Sequence, residues 1–192
     1  MNSLIFLLIT VIVIIAFVLS RWAYRSYSLP IRIAIMERKL QKLPFFYQLN
    51  VGSHDDFDLW VGGIKRSIHS DAPFLVVVTK DDQPIGLIGF NVENKSMLVS
   101  QLQGLKGVNM KGFNLADYLL TCAEEMAVVF GAFSVKVQLA SRNYYYDLDD
   151  THRLYPQLYA HQRRLYRVYN DTPKKRGYGL TADHHWHEKH LI

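Results

Sequence analysis

The chain has 192 residues, with 22 Lys and Arg against 17 Asp and Glu, a formal net charge of +5. At about 100–200 residues per domain this is one folded domain, and 49% hydrophobic with 20% charged residues excludes a mostly disordered chain. A single cysteine, Cys122, excludes an intramolecular disulfide framework and a Cys-rich zinc site.

The charge is unevenly spread. Residues 1–20 carry no charged side chain, whereas residues 21–42 hold Arg21, Arg25, Arg32, Arg38, Lys39 and Lys42 against Glu37 alone. Residues 43–192 hold sixteen basic and sixteen acidic residues and are neutral. The basic footprint that nucleic-acid binding requires is absent from the body, so no nucleic-acid partner is expected.

Leu4–Leu19 reads LIFLLITVIVIIAFVL, with Thr10 its only polar residue. A helix from Asn2 to Trp22 would rise roughly 30 Å, about the hydrocarbon thickness of a bilayer. Trp22, Tyr24 and Tyr27 suit the interfacial belt. A cleaved signal peptide requires a positive n-region and a small-x-small cleavage site, and Val18-Leu19-Ser20-Arg21-Trp22 supplies no such site. The sequence therefore predicts a single-pass anchor over residues 1–22, in contact with lipid through residues 2–22. The cations follow the span, which puts the amino terminus outside and the body in the cytoplasm. Residues 23–42 form a basic juxtamembrane segment. The cations of 21–42 set topology or contact anionic lipid, and after Pro30 an amphipathic helix with Ile31, Ile35 and Leu40 is expected.

In the body, residues 45–52 read as a strand. His54–Ser70 reads as a helix capped by Asp55 or Asp56, with Phe57, Trp60, Ile64 and Ile68 at helical spacing and Gly62-Gly63 against it. A meander follows: Phe74–Lys80, a turn at Asp81-Asp82-Gln83, Pro84–Val92, a turn at Glu93-Asn94-Lys95, then Ser96–Gln103. In the third strand Met97, Val99 and Gln101 alternate with Leu98 and Leu102. Gly104–Gly112 is a glycine-spaced loop. Asn114 is an N-cap for a helix over 115–130, with Leu115, Leu119, Leu120, Ala123, Ala127 and Phe130 in one stripe and Gly131 as its stop. Phe133–Leu139 alternates as a strand, and the strand–helix–strand passage implies a right-handed crossover. Arg142–Asp150 is a polar loop. His152–Tyr169 reads as a helix with Leu154, Leu158, Leu165 and Val168 inward and Arg153, Arg163, Arg164 and Arg167 outward. Asp171-Thr172-Pro173 breaks or restarts it, and Leu180–Leu191 is a last strand.

Other residues each carry a functional and a structural reading. His184, His185, His187 and His190 could ligate Zn²⁺ or Ni²⁺ on a strand, or lie on an exposed one; the structural reading is preferred and no metal is expected. Asp147, Asp149 and Asp150 lack the oxygen count of a calcium loop. Seven of the twelve tyrosines fall between 144 and 169, where they line an acceptor pocket or pack a helix on the sheet. Cys122 reads as structural, without a partner histidine.

The run Leu98–Leu139, with GLKGVNMKGFNLA between a strand and the helix YLLTCAEEMAVVFGA, resembles the GNAT superfamily of N-acetyltransferases. Arg176-Gly177-Tyr178 fits that family's Gly-aromatic pair. The resemblance implies an α+β domain over 43–192, a mixed, mostly antiparallel sheet flanked by helices, here preceded by one transmembrane helix. It implies acetyl-CoA or another acyl-CoA as cofactor. Backbone of Leu102, Gln103 and Gly104 would meet the thioester and pantetheine. Lys111, Gly112, Phe113, Asn114, Leu115 and Ala116 would meet the phosphates, through N–H groups at a helix start. Asn143 would contact the pantetheine arm, and Tyr169 would serve as general acid because Pro173 stands where the family places a tyrosine. Lys111 replaces the motif's Gln or Arg, and Asn114 replaces its first Gly. Two functions follow: a membrane-anchored N-acyltransferase acting on an amine, or an inactive domain of the same architecture holding a protein partner at the membrane. An open cleft with free amides beside Leu102 favours the first; a filled cleft favours the second.

Overall fold

The computed structural model describes residues 13–20, 31, 33–44, 46–51, 56–61, 64–70, 72–105, 114–143 and 156–191. Compact units span Met1–Arg38 and Lys39–Ile192. In the first, residues 13–20 are helical and all eight are exposed, among them Val13, Ile14, Ile15, Phe17, Val18 and Leu19. Most of the expected anchor lies outside the described residues, and no helix among the described residues is long and apolar enough to cross a membrane.

The second unit is α+β. Its strands are β1 (Phe46–Val51), β2 (Asp56–Val61), β3 (Ile64–His69), β4 (Phe74–Lys80), β5 (Gln83–Glu93), β6 (Ser96–Gly104), β7 (Ser134–Gln138), β8 (Gly179–Leu180) and β9 (Trp186–His190). Helix α1 is Leu115–Phe130 and α2 is Pro156–Tyr166; a π-helical turn, Arg167–Asp171, leads into α3, Thr172–Lys175. Seven strands form one sheet in the order β1-β4-β5-β6-β7-β9-β8. Every pairing is antiparallel except β6 with β7.

Both faces of the central strands are covered, so β4 and β5 read as near-continuous apolar runs. Phe74, Val76, Ile88 and Phe90 share the face toward α1, where Phe90 lies 5.6 Å from both the Phe74 and Phe130 rings. Leu75, Val77 and Leu87 pack on the other face with Ile68 and Leu105. A Cβ on Gly89 would come within 2.8 Å of the Cβ atoms of Ala72 and Gln101, so this position accepts only glycine.

The expected helix over His54–Ser70 is instead an antiparallel hairpin, β2 with β3, Val61 facing Ile64. Two residues, Gly62 and Gly63, link the strands, and Phe57, Leu59 and Val61 alternate with Asp56, Asp58 and Trp60. Period two with a Gly-Gly link outweighs the helical spacing of four residues. The meander turns are two residues long, not three. Asp81 and Asp82 (φ 50° and 59°) and Asn94 and Lys95 (φ 48° and 61°) are all left-handed, the backbone that matches strand twist in short hairpins.

α1 ends as expected. Asn114 Oδ1 accepts the Asp117 N–H at 3.2 Å, and Gly131, at φ 75°, closes the far end on Ala127 and Val128 carbonyls. The helix at the body's end differs. It begins at Pro156 among the described residues, and at Asp171-Thr172-Pro173 it restarts, α-helix resuming at Thr172 after the π turn. Pro173 has no N–H to give, and the π turn absorbs the mismatch, with the Thr172 N–H and Oγ1 both donating to the Arg167 carbonyl. Leu165 and Val168 are only half-buried, while Tyr169 is fully buried. The expected last strand is a short β8–β9 hairpin, because Thr181 and Asp183 hold a turn with His184 at φ 54°.

Phe90 is fully buried between two aromatic neighbours. Phe90→Ala should cost about 3–5 kcal/mol, read by urea unfolding of the full chain in detergent.

Candidate functional site

The one parallel pair forks. β6 and β7 are in register only from Ser96–Val99 against Ser134–Val137. Gly89 faces Gln101 and Phe90 faces Val99, so Ser100 is an extra residue, a bulge in β6. A bulge bends its strand and raises the local twist. It also shifts the alternation, so the buried set runs Met97, Val99, then Leu102 rather than Gln101. Beyond it, Leu102–Gly104 have no β7 partner, and β7 gives way to a 3-10 turn, Ala140–Arg142.

The π turn fills this fork. Tyr169 Oη accepts the Leu102 N–H at 2.8 Å and lies 3.4 Å from the Leu102 carbonyl oxygen. Asn143 hydrogen-bonds the same hydroxyl. The next residue, Asn170, accepts the Ala140 N–H on Oδ1 at 3.0 Å. Consecutive side chains thus satisfy one amide on each arm of the fork. Tyr169 is 2% exposed, and burial pushes its hydroxyl up to about 12, against hydrogen bonds from Leu102 and Asn143 that pull the other way. It stays a neutral phenol at any physiological pH.

The sequence-predicted residues divide into groups. Leu102, Asn143 and Tyr169 come together. Gln103 and Gly104 are exposed on β6; Gln103 accepts from the Gln101 amide at 3.0 Å, and Gly104 leaves room for Leu115, whose Cδ2 lies 2.6 Å from where a Cβ would sit. Asn114 spends its side chain on the helix cap, Leu115 packs against Gly104, and Ala116 is half-buried in the first turn. Lys111, Gly112 and Phe113 lie outside the described residues, as do Asp147, Asp149 and Asp150.

An acyl-CoA needs a free amide for its thioester carbonyl and a helix start that attracts phosphate. Here the Leu102 amide is taken by Tyr169, and Asp117 puts a carboxylate in the first turn of α1. In this arrangement the Leu102 amide is not free for that cofactor, and residues 111–113 of the expected phosphate cradle lie outside the described residues.

A second cluster was not anticipated. Glu124 of α1 accepts from Arg176 Nη2 at 2.9 Å and Nε at 3.2 Å, from Tyr178 Oη at 3.0 Å and from Lys189 at 3.2 Å. Arg176 also reaches Asp117 at 2.9 Å. Burial pushes the Glu124 carboxyl up, but its donors outweigh that and hold it below its usual range. These bonds tie α1, the turn after α3 and β9 together. The sequence carried only part of the signal: Asp117 and Glu124 are two helical turns apart on one face of α1. A surface hollow of about 530 Å³ beside it is lined by Leu180 and His190 with Arg176 and Lys189, both already bonded to Glu124.

The histidines do not assemble a metal site. No group of three or more His, Cys, Asp or Glu among the described residues could hold an ion. His184, His185 and His190 are exposed, and His185 contacts Arg142 and Asp183. His187 is 1% exposed and neither ring nitrogen has a partner among the described residues. His185 precedes β9 on the turn, which separates it from His187 despite their spacing. Cys122 is buried, and burial followed by the nearby Glu125 pushes its thiol up to about 12, which leaves it unreactive.

No protein-family model matches the sequence, and no curated protein matches it.

Tyr169→Phe leaves the Leu102 N–H buried without an acceptor and should cost about 1–3 kcal/mol, read by urea unfolding with an unchanged far-ultraviolet dichroism spectrum. Burial, followed by the nearby Lys174 charge, holds His187 below its ordinary value of 6.5. Above about 6.5 both folded and unfolded chains hold it neutral; below, the unfolded chain takes up a proton that the folded chain refuses. Stability should therefore fall as the pH drops below about 6.5, and His187→Leu should flatten that slope.

Proposed function

We propose that this chain is a membrane-tethered domain of GNAT-like architecture that has kept the fold and given up the chemistry, and that serves to bind or scaffold a protein partner at the membrane. Residues 2–22 cross the bilayer with the amino terminus outside, and the domain faces the cytoplasm. The tether is supported by the uncharged run Leu4–Leu19 and by the wholly exposed apolar helix over residues 13–20. The architecture is supported by a sheet that is antiparallel apart from one forked parallel pair bridged by a capped helix. The observation that carries the loss of chemistry is the Leu102 N–H held by Tyr169 Oη at 2.8 Å. The amide that an acyl donor would need is filled from within the chain.

One observation favours a second reading, an acyl-CoA-dependent N-acyltransferase. Leu102, Asn143 and Tyr169, each given a role by the resemblance, meet at one point. That reading requires the π turn to withdraw so that the Leu102 amide is freed.

Calorimetric titration of coenzyme A and acetyl-CoA into the full chain in nanodiscs separates them. No saturable binding at millimolar ligand is expected, with Tyr169→Ala opening the fork and changing this outcome before any other variant does. Micromolar binding to the unaltered chain, with acyl transfer to an added amine, overturns the scaffold reading and establishes the enzyme.

A further inference from the structure

The segment that fills the fork has two sides. Its inward side is Gln162, Tyr169, Thr172 and Pro173, all buried. Its outward side is Arg164, Arg167, Lys174 and Lys175, all exposed. None of these four pairs with a carboxylate among the described residues. In sequence Tyr166 lies between the two arginines, and it is 40% exposed. The body as a whole is neutral, so a ridge of four cations is a local concentration rather than a reflection of composition.

We infer that this ridge, Arg164, Arg167, Lys174 and Lys175 around Tyr166, docks on the anionic lipid leaflet to which the chain is tethered. The inference rests on the tether in the proposed function. Three observations choose lipid over other anions. The chain carries an apolar run long enough to hold the domain beside a bilayer, which raises the ridge's effective concentration at that surface. Juxtamembrane residues 21–42 already carry an excess of five positive charges for the same leaflet. An exposed tyrosine among cations is the composition of a membrane interface, where an amphipathic ring sits at headgroup level. A base-reading surface would instead need side chains placed for groove or stacking contacts. The ridge and the fork plug are one stretch of backbone, so docking would hold Arg167–Asp171 in the turn that keeps Tyr169 on Leu102.

The test uses the full chain with Tyr166→Cys carrying a bimane label. Cys122 is 1% exposed and takes no label in the folded chain. The protein is placed in nanodiscs of phosphatidylcholine with or without phosphatidylglycerol, with a nitroxide on the lipid headgroups. Quenching at position 166 is expected in the anionic discs and not in the neutral ones. It should vanish at high salt and in the R164E/R167E/K174E/K175E variant, while a label at Asp82→Cys stays unquenched throughout. No quenching, or equal quenching in both disc types, overturns the inference without any charge variant having to fold. If the chain does not enter discs, the tether has failed separately. The ridge is then judged by flotation of the chain with phosphatidylglycerol vesicles, and absence from the floated fraction overturns it. Protection of the label by polyglutamate or RNA but not by anionic lipid also overturns it.

Discussion

A buried backbone amide without a partner costs about 1–3 kcal/mol, more than a single net hydrogen bond returns. When parallel strands separate, they create such amides on both arms. This molecule depends on how that debt is met at the fork of β6 and β7. Tyr169 takes the Leu102 N–H and Asn170 takes the Ala140 N–H. The Ser100 bulge opens the fork, and the π turn supplies a neighbouring pair of side chains to close it. A π turn amid α-helix is costly geometry that persists where a specific placement requires it. Here that placement is a phenol and an amide on successive residues.

Much of the architecture was legible in the chain because its signals are local. β4, β5, β6, α1 and β7 carry strong periodicity, and Asn114 and Gly131 mark the helix ends by their own chemistry. The His54–Ser70 stretch was misread because Phe57, Trp60, Ile64 and Ile68 fall at helical spacing, which masked the alternation of Phe57, Leu59 and Val61 and the turn signal of the Gly-Gly link. The π turn that carries α2 into Thr172-Pro173 was hidden for a different reason. Proline rules out an α-helical bond but not a widened turn. The phase shift at Ser100 was invisible, since a bulge is defined by the partner strand and not by the residue that makes it.

The site was legible only in part. Tyr169 could be named from its position one turn before the missing tyrosine, and Leu102 from its place at the strand end. That they bond one another, with Asn143 beside them, depends on long-range packing that no spacing encodes. The Glu124 network was hidden similarly. Its donors come from residues 176, 178 and 189, far from Glu124 in the chain. It fixes α1 against β9 by charge-assisted bonds at partly buried side chains, where they are stronger than surface ion pairs.

β9 follows every other strand in chain order, yet in the sheet it lies between β7 and β8. Until Trp186–His190 is available, β7 keeps an open edge, Lys189 is missing from Glu124, and β8 has nothing to pair with. Synthesis proceeds from the amino terminus, so the apolar residues 4–19 emerge long before the sheet can close. The domain thus completes its fold after its proposed tether has left the ribosome. During that interval the bare β7 edge is a template for pairing with another chain. Assembly of this protein is therefore a matter of timing as well as of stability.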